Sequence, residues 1–326
     1  MSDASGLVVV DKPAGWTSHQ VVGRCRRLYG TRKVGHAGTL DPMATGVLLV
    51  GVNRATRLLG FLAGHDKTYT ATIRLGASTV TDDAEGEPVE WPGAAGITEA
   101  DVRAALPTFT GVISQVPSAV SAIKVDGKRA YARVRAGEEV ELKPREVTVS
   151  RFEVTGSRPA AAFGWIGGEA AQGPLLDVDV EVDCSSGTYI RALARDLGRM
   201  LGCGGHLSAL RRTRVGAFDL SLVALDADSL AGEAGPPLLG LAEVARRAFP
   251  VVEVDAAAAR DVGFGRPLAI PVPADPTAVL HDGELLALYR PTDDDGDPGP
   301  DHDGGPGPDH GDGPDRPRSR PVAVLA

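Results

Sequence analysis

Gly35-His36-Ala37-Gly38-Thr39-Leu40-Asp41-Pro42-Met43-Ala44-Thr45-Gly46, followed by Val47-Leu48-Leu49-Val50-Gly51-Val52, is the stretch on which the fold turns. Three glycines and a proline in the first twelve residues predict a tight, irregular loop, and the apolar run after them predicts a buried strand. Pro42 pushes the backbone of Asp41 toward the extended region, so a regular helix does not run through it. His36 and Asp41 are the two side chains of this loop suited to nucleophilic or acid–base work. A carboxylate on a glycine-rich loop against a buried strand is a site for such chemistry. The rival reading is structural: Asp-Pro opens a turn and the glycines supply positive φ angles.

Outward from the loop, Leu7–Val10 reads as a short strand. Ser18 caps a predicted helix over His19–Tyr29, with Val21, Val22, Cys25, Leu28 and Tyr29 on one face and Gly30 ending it. Asn53 is a candidate cap for a second helix through Leu62. Lys67–Leu75 alternates, with Tyr69, Ala71, Ile73 and Leu75 on one side, and predicts a half-buried strand in which Tyr69 is a core aromatic. Thr98 and Asp101 form a capping pair for a helix over Glu99–Leu106. Val147–Val154 and Leu175–Cys184 alternate as strands. Ser185-Ser186-Gly187 then turns into a helix through about Leu201, with Tyr189 and Arg191 at its opening. Pro250 marks a domain boundary. Beyond it Val251–Val254, Leu268–Val272, Ala278–His281, Leu285–Tyr289 and Pro321–Leu325 are short strands consistent with a small β-barrel.

Composition bounds the classes. The 326 residues suffice for one large domain and a smaller one. No apolar run is long enough to span a membrane, and Met1-Ser2-Asp3-Ala4 does not open a secretory signal. Three scattered cysteines fit a reducing cytoplasm rather than a disulfide or zinc framework. The net charge of −9 is unevenly spread: Pro291–Arg320 holds nine aspartates against three arginines. Composition predicts disorder for Asp293–Arg320, with His302 and His310 in a solvated loop. By contrast, Asp11–Leu40 sets one acid against Lys12, Arg24, Arg26, Arg27, Arg32 and Lys33, and Arg211, Arg212 and Arg214 form a second basic cluster. Local basic surface of this kind suits phosphate contacts, though a solvated face explains each cluster as well. Ser121–Arg145, with Lys124, Lys128, Arg129, Arg133, Arg135, Lys143 and Arg145, reads as an exposed basic loop-helix-loop.

The loop resembles the signature of the pseudouridine synthases, specifically the bacterial family that modifies the T-loop uridine (position 55) of tRNA. Gly6–Gly15, Asp66-Lys67-Thr68-Tyr69, Ser121–Tyr131 and Ser185-Ser186-Gly187-Thr188-Tyr189-Ile190-Arg191 match in the family's order, over about the first 245 residues. The resemblance implies an α+β fold: a central mixed, mostly antiparallel sheet flanked by helices in a catalytic domain over 1–249. Residues 121–145 would close over the RNA as a basic insertion. A small PUA-like β-barrel over 250–326 would follow, interrupted by the acidic segment 293–320.

Pseudouridine formation breaks the N1–C1′ bond, turns the base in place and joins C5 to C1′. One ionised carboxylate aimed at the nucleoside suffices, with no cofactor and no metal. By resemblance Asp41 has that role, Arg191 keeps it charged, and Tyr69 stacks on the base; residue by residue, a surface arginine and a core tyrosine remain the alternatives. Tyr189 and Leu210 would line the same pocket, His36 would fill the gap left by the extruded base, and Lys12 would support the loop or touch phosphate. Lys124 and Arg129 would hold RNA. The implied partner is the tRNA T arm, met by a cytoplasmic monomer. Two rivals stand: a non-catalytic RNA-binding protein or folding chaperone, and a hydrolase using a second carboxylate, for which Asp82 and Asp83 are the nearest candidates.

Overall fold

The computed structural model describes residues 4–118, 124–125, 128–129, 142–162, 164–166, 168–292 and 318–325. Ten strands of these residues form one sheet: β1 (Gly6–Lys12), β2 (Val34–Ala37), β3 (Thr45–Val52), β4 (Lys67–Leu75), β5 (Gly111–Gln115), β6 (Arg145–Ala160), β7 (Leu175–Cys184), β8 (Gly205–Val215), β9 (Phe218–Asp219) and β10 (Val223–Leu225). Their order is β10-β1-β3-β8-β4-β7-β6-β5, with β2 paired to β3 and β9 to β8. Only β1–β10 and β3–β8 are parallel, so the sheet is mixed and mostly antiparallel.

Alternation decides what each face carries. Along β1, Val8 and Val10 enter one buried cluster and Leu7 and Val9 another, so this strand is covered on both sides. The first cluster joins Tyr69, Ile73, Val180 and Val182 to two helices, α1 (Ser18–Leu28) and, after α2 (Leu59–Ala63) and α3 (Glu99–Ala105), to α4 (Ile190–Met200). The second carries Val47 and Leu49 onto Leu241, Val244, Ala278 and Leu288. The apolar core is therefore continuous across Pro250.

The predicted β4 and β7 hold to the residue, and Thr98–Asp101 is a reciprocal capping box on α3. Four local readings are corrected. Thr17, not Ser18, caps α1, because Thr17 and Gln20 satisfy each other's backbone N–H groups while Ser18 is buried. Asn53 is not a cap but the first residue of a 3-10 helix (Asn53–Leu58) that runs on into α2, so the helical stretch through Leu62 stands; its φ is +53 and its side chain is spent on Ala4 and Thr31. The glycine-rich stretch is only partly loop, since Gly35, His36 and Ala37 lie in β2. Leu268–Val272 forms no strand beyond one bridge from Leu268 to Ser319; Pro267, Pro271 and Pro273 remove the N–H groups a ladder needs.

The predicted barrel is an open sheet. After α5 (Ala227–Ala231) and α6 (Leu241–Ala248) come β11 (Val251–Glu253), the unpredicted α7 (Ala256–Gly263), β12 (Thr277–His281), β13 (Glu284–Pro291) and β14 (Ser319–Val324). These four strands pair in the order β11-β12-β13-β14 without closing. Loss of the proline-blocked strand leaves nothing among the described residues to join the edges. Of the acidic segment 293–320, residues 293–317 lie outside the described residues, while Ser319 and Arg320, expected to be disordered, begin β14. Most of the basic segment 121–145 also lies outside them, and Arg145 begins β6. No described helix is long and apolar enough to cross a membrane.

Candidate active site

Asp41 lies on the seven residues between β2 and β3, and the strand after them explains the loop's shape. Gly46 has φ +101, and a Cβ there would sit 2.1 Å from the Arg212 carbonyl oxygen. Only glycine lets β3 approach β8 this closely while the chain turns out of the loop. Two buried cations brace the loop from below. Lys12, fully buried, donates to the carbonyls of Pro13 (2.9 Å), Trp16 (2.6 Å) and Pro42 (3.1 Å). Arg212 donates through Nε to Val47 (2.7 Å) and through Nη2 to Gly38 (3.1 Å). Lys12 is therefore a loop brace; buried among three carbonyls, it is not on the surface to meet a phosphate. Burial lowers its pKa to about 8, against the pull of Asp41.

Arg191, on the first turn of α4, grips Asp41 with two donors: Nε to Oδ2 at 3.0 Å and Nη2 to Oδ1 at 3.2 Å. The guanidinium is itself fixed by the Thr81 carbonyl (2.9 Å) and by Asp83 Oδ2 (3.3 Å). Arg191 and Asp83 are almost wholly buried, whereas a third of the Asp41 side chain stays accessible. Burial pushes the Asp41 carboxyl up; Arg191 pulls it down and Asp83 pushes it up again. The surface-arginine reading of Arg191 is thus replaced by a buried bidentate partner. Asp83 takes part through Arg191, and is not aimed at the cavity as a second acid.

Beside Asp41 opens a cavity of about 290 Å³, lined by Gly38, Thr39, Leu40, Lys67, Tyr69, Ser186, Tyr189, Leu210 and Arg212 among others. Its volume is at the low end for a small-ligand site. Tyr69 reaches it because β4 alternation puts it on the helix-covered face, opposite Arg212 in register. Burial pushes the Tyr69 phenol up, so it stays protonated at neutral pH, with Arg212 opposing. Tyr189 precedes the first residue of α4, and Leu210 stands two residues before Arg212 on β8. Asp41, Tyr69, Arg191, Tyr189 and Leu210 are therefore brought together, from positions up to 169 apart in the chain.

His36 is not among the cavity's lining residues. It sits half-buried on β2, its ring edge-on to His19 at 5.5 Å, with Nδ1 lacking a hydrogen-bond partner among the described residues. Burial, with His19 and Arg212 adding, pushes its pKa down, so it is neutral at pH 7. The backbones of Lys124 and Arg129 pair in a short hairpin, while their side chains lie outside the described residues.

The family model described as TruB family pseudouridylate synthase (N terminal domain) matches residues 26–190, and one described as tRNA pseudouridylate synthase B C-terminal domain matches residues 191–229. The chain belongs to the TruB family of pseudouridylate synthases. It is 60% identical over 291 residues to the tRNA pseudouridine synthase B of Cutibacterium acnes (strain DSM 16379 / KPA171202), covering 89% of this chain and 94% of that one. It is 57% identical to the protein of that name in Arthrobacter sp. (strain FB24), over 87% of this chain and 92% of the relative. Among solved structures it is similar to a Cbf5-Nop10-Gar1 complex, with a TM-score of 0.62 and 26% identity over 88% of this chain and 78% of that one. The TruB family models meet between residues 190 and 191, inside the cavity wall, so both halves of the sequence supply the site.

Sequence reasoning on this TruB family member named Arg212, Lys67 and Asp83 but missed their places: Arg212 and Lys67 line the cavity, and Asp83 holds Arg191 rather than serving as a hydrolase's second acid. Arg212 looked like surface charge beside Arg211 and Arg214; alternation separates it from Arg211, and a register shift between Arg212 and Arg214 separates it from Arg214. Arg211 turns outward to Asp11 (2.6 Å) and Arg214 to Asp183 (3.5 Å), while Arg212 points inward. The period of two tells Arg212 from Arg211, but it groups Arg212 with Arg214, and only the register shift between them undoes that. Lys67, inside a matched motif, is buried and donates to the carbonyls of Ala63 (2.9 Å) and His65 (2.6 Å).

Proposed function

We propose that this protein is a tRNA pseudouridine synthase acting on the T-loop uridine at position 55. The observation that carries this is the accessible Asp41 carboxylate, held by a buried bidentate arginine at the edge of a cavity walled by Tyr69. The relatives named tRNA pseudouridine synthase B supply the substrate class.

In this reading the target uridine leaves its stack, at a cost of a few kcal/mol, and enters the cavity. Asp41, kept ionised by Arg191, stabilises the separated sugar or base covalently while the N1–C1′ bond breaks. The base turns against Tyr69, and Tyr189 and Leu210 confine it. C5 then bonds to C1′ as the bond to Asp41 breaks; C5 gives up its proton and N1 takes one from solvent, so the product is an isomer and no co-reactant enters. His36, near the loop but outside the cavity, stacks where the base was. RNA phosphates meet the exposed Arg26, Arg27, Arg32 and Lys33, which make no ion pair among the described residues; the paired Arg211 and Arg214 are no longer candidates. Lys124 and Arg129 add to the grip on the T arm. The division at Pro250 gives residues 1–249 the chemistry and 250–326 supporting RNA surface, in a monomer of the cytoplasm.

A T-arm stem-loop tritiated at uridine C5 tests this. Wild type releases tritium from one loop uridine, and Asp41→Asn releases none. Binding without release by either protein supports a non-catalytic RNA-binding protein instead, and free uracil supports a hydrolase.

A further inference from the structure

Gln115 ends β5, and its register partner Arg145 begins β6, so the chain between them, including the basic segment, is rooted on this pair. The Gln115 side chain is spent on another element. It is 2% exposed and turns toward the start of α4. There its amide engages both backbone groups of one residue: Nε2 donates to the Tyr189 carbonyl at 3.1 Å, and Oε1 accepts from the Tyr189 N–H at 2.8 Å.

That residue matters. Tyr189 occupies the N-cap position of α4 without a side-chain cap of its own, in an extended conformation with φ −103 and ψ 105. Its side chain lines the cavity, and two residues later Arg191 holds Asp41. A helix start without its own cap is free to fray by a turn, which here would move the arginine off the carboxylate. The neighbouring residue supplies a second tie: the Val116 carbonyl accepts from Arg195 Nη2 at 2.8 Å, one turn further along α4.

Resting on the pseudouridine synthase reading, we propose that Gln115 is a positioning residue that fixes the backbone of Tyr189, and through it the Arg191–Asp41 pair, to the root of the basic segment. The amide does not bond the first-turn N–H groups a cap would take; it pins the residue from which the helix starts by both of its backbone groups.

Two variants separate hydrogen bonding from packing. Gln115→Met keeps the volume and loses both bonds; Gln115→Glu keeps the acceptor and sets a carboxylate oxygen against the Tyr189 carbonyl. Each is measured for single-turnover tritium release at saturating tRNA, for tRNA Kd, and for backbone hydrogen exchange over residues 186–194. The expected result in a folded variant is a rate lowered about 10- to 100-fold, as for a displacement of about 1 Å at a reacting group, with Kd changed less than about threefold and faster exchange at the helix start. A rate within about twofold of wild type, or unchanged exchange, overturns the proposal, as does a loss confined to Kd. If one variant fails to fold, the other carries the test. Absence of release by wild type defeats the synthase reading alone, since the exchange measurement still reports on the clamp.

Discussion

At the scale of single residues the site is a contest over one carboxyl group. Asp41 must be ionised to act, yet burial raises its pKa above the ordinary 3.8, against the pull of Arg191 and, more weakly, of Lys12. The single-turnover rate should therefore fall as pH drops through a value above 3.8. Asp83 raises the same group and shares the guanidinium, so Asp83→Asn should move that acid limb to lower pH; an unmoved limb would count against the coupling. Asp41→Asn should cost at least about 10³-fold in rate with the fold retained. Lys12 provides a stability counterpart with its sign fixed by linkage. Its folded-state pKa is about 8 against 10.5 for the free side chain, so between those values the unfolded chain binds more protons. Stability from this group then rises with pH across that window, and a Lys12→Met protein should lack that part of the slope in thermal melts run from pH 8 to 10.

At the scale of elements, the site depends on strand period and close approach. On β8, Leu210 and Arg212 face the cavity because they are two apart, while Arg211 and Arg214 turn to Asp11 and Asp183. Arg212→Lys keeps charge but loses the fork that spans Val47 and Gly38; turnover should fall more than tRNA binding does. Gly46→Ala places a Cβ 2.1 Å from the Arg212 carbonyl at a φ that side chains avoid. A loss of more than about 2 kcal/mol is expected in denaturant titrations, since strain and displacement of β3 from β8 add. The run of basic residues at 211–214 looked like one patch because linear sequence hides which side of a strand each residue takes. The cap at Thr17 was misread by one residue for a similar reason: both Thr17 and Ser18 are good caps, and only the buried contact of Ser18 with Leu40 decides between them.

At the scale of the molecule, the catalytic sheet and the C-terminal strands share one apolar cluster through Leu241, Val244, Leu280 and Leu288. Arg54 and Arg57 add donors to the carbonyls of Leu325 and Val324. The described residues that flank the acidic segment lie side by side: the Thr292 N–H donates to the Arg318 carbonyl at 3.1 Å, next to the paired β13 and β14. Deleting Asp293–Asp315 and closing the hairpin with a short turn should leave the melting temperature within a few degrees and turnover on a T-arm stem-loop within about threefold. Lost turnover in a still-folded deletion protein would show that the segment serves catalysis.

The sequence by itself determined the elements whose period is strong, β4 and β7 to the residue, and the identity of the loop that carries Asp41. Those follow from local rules: alternation, proline's fixed φ and glycine's freedom act over a few residues. It also named Asp41, Tyr69, Arg191, Tyr189 and Leu210 through motifs, but not what holds them. Only the tertiary structure decided that Arg212 and Lys12 are interior braces, that Asp83 shares Arg191, and that Gln115 holds the backbone of Tyr189. The contacts of Arg212, Asp83 and Gln115, and that of Lys12 with Pro42, join residues far apart in the chain, and pairing across such distances is set by sheet register and burial, which no local pattern encodes. The C-terminal sheet stays open for the same reason, because closure depends on whether distant edges have N–H groups to exchange.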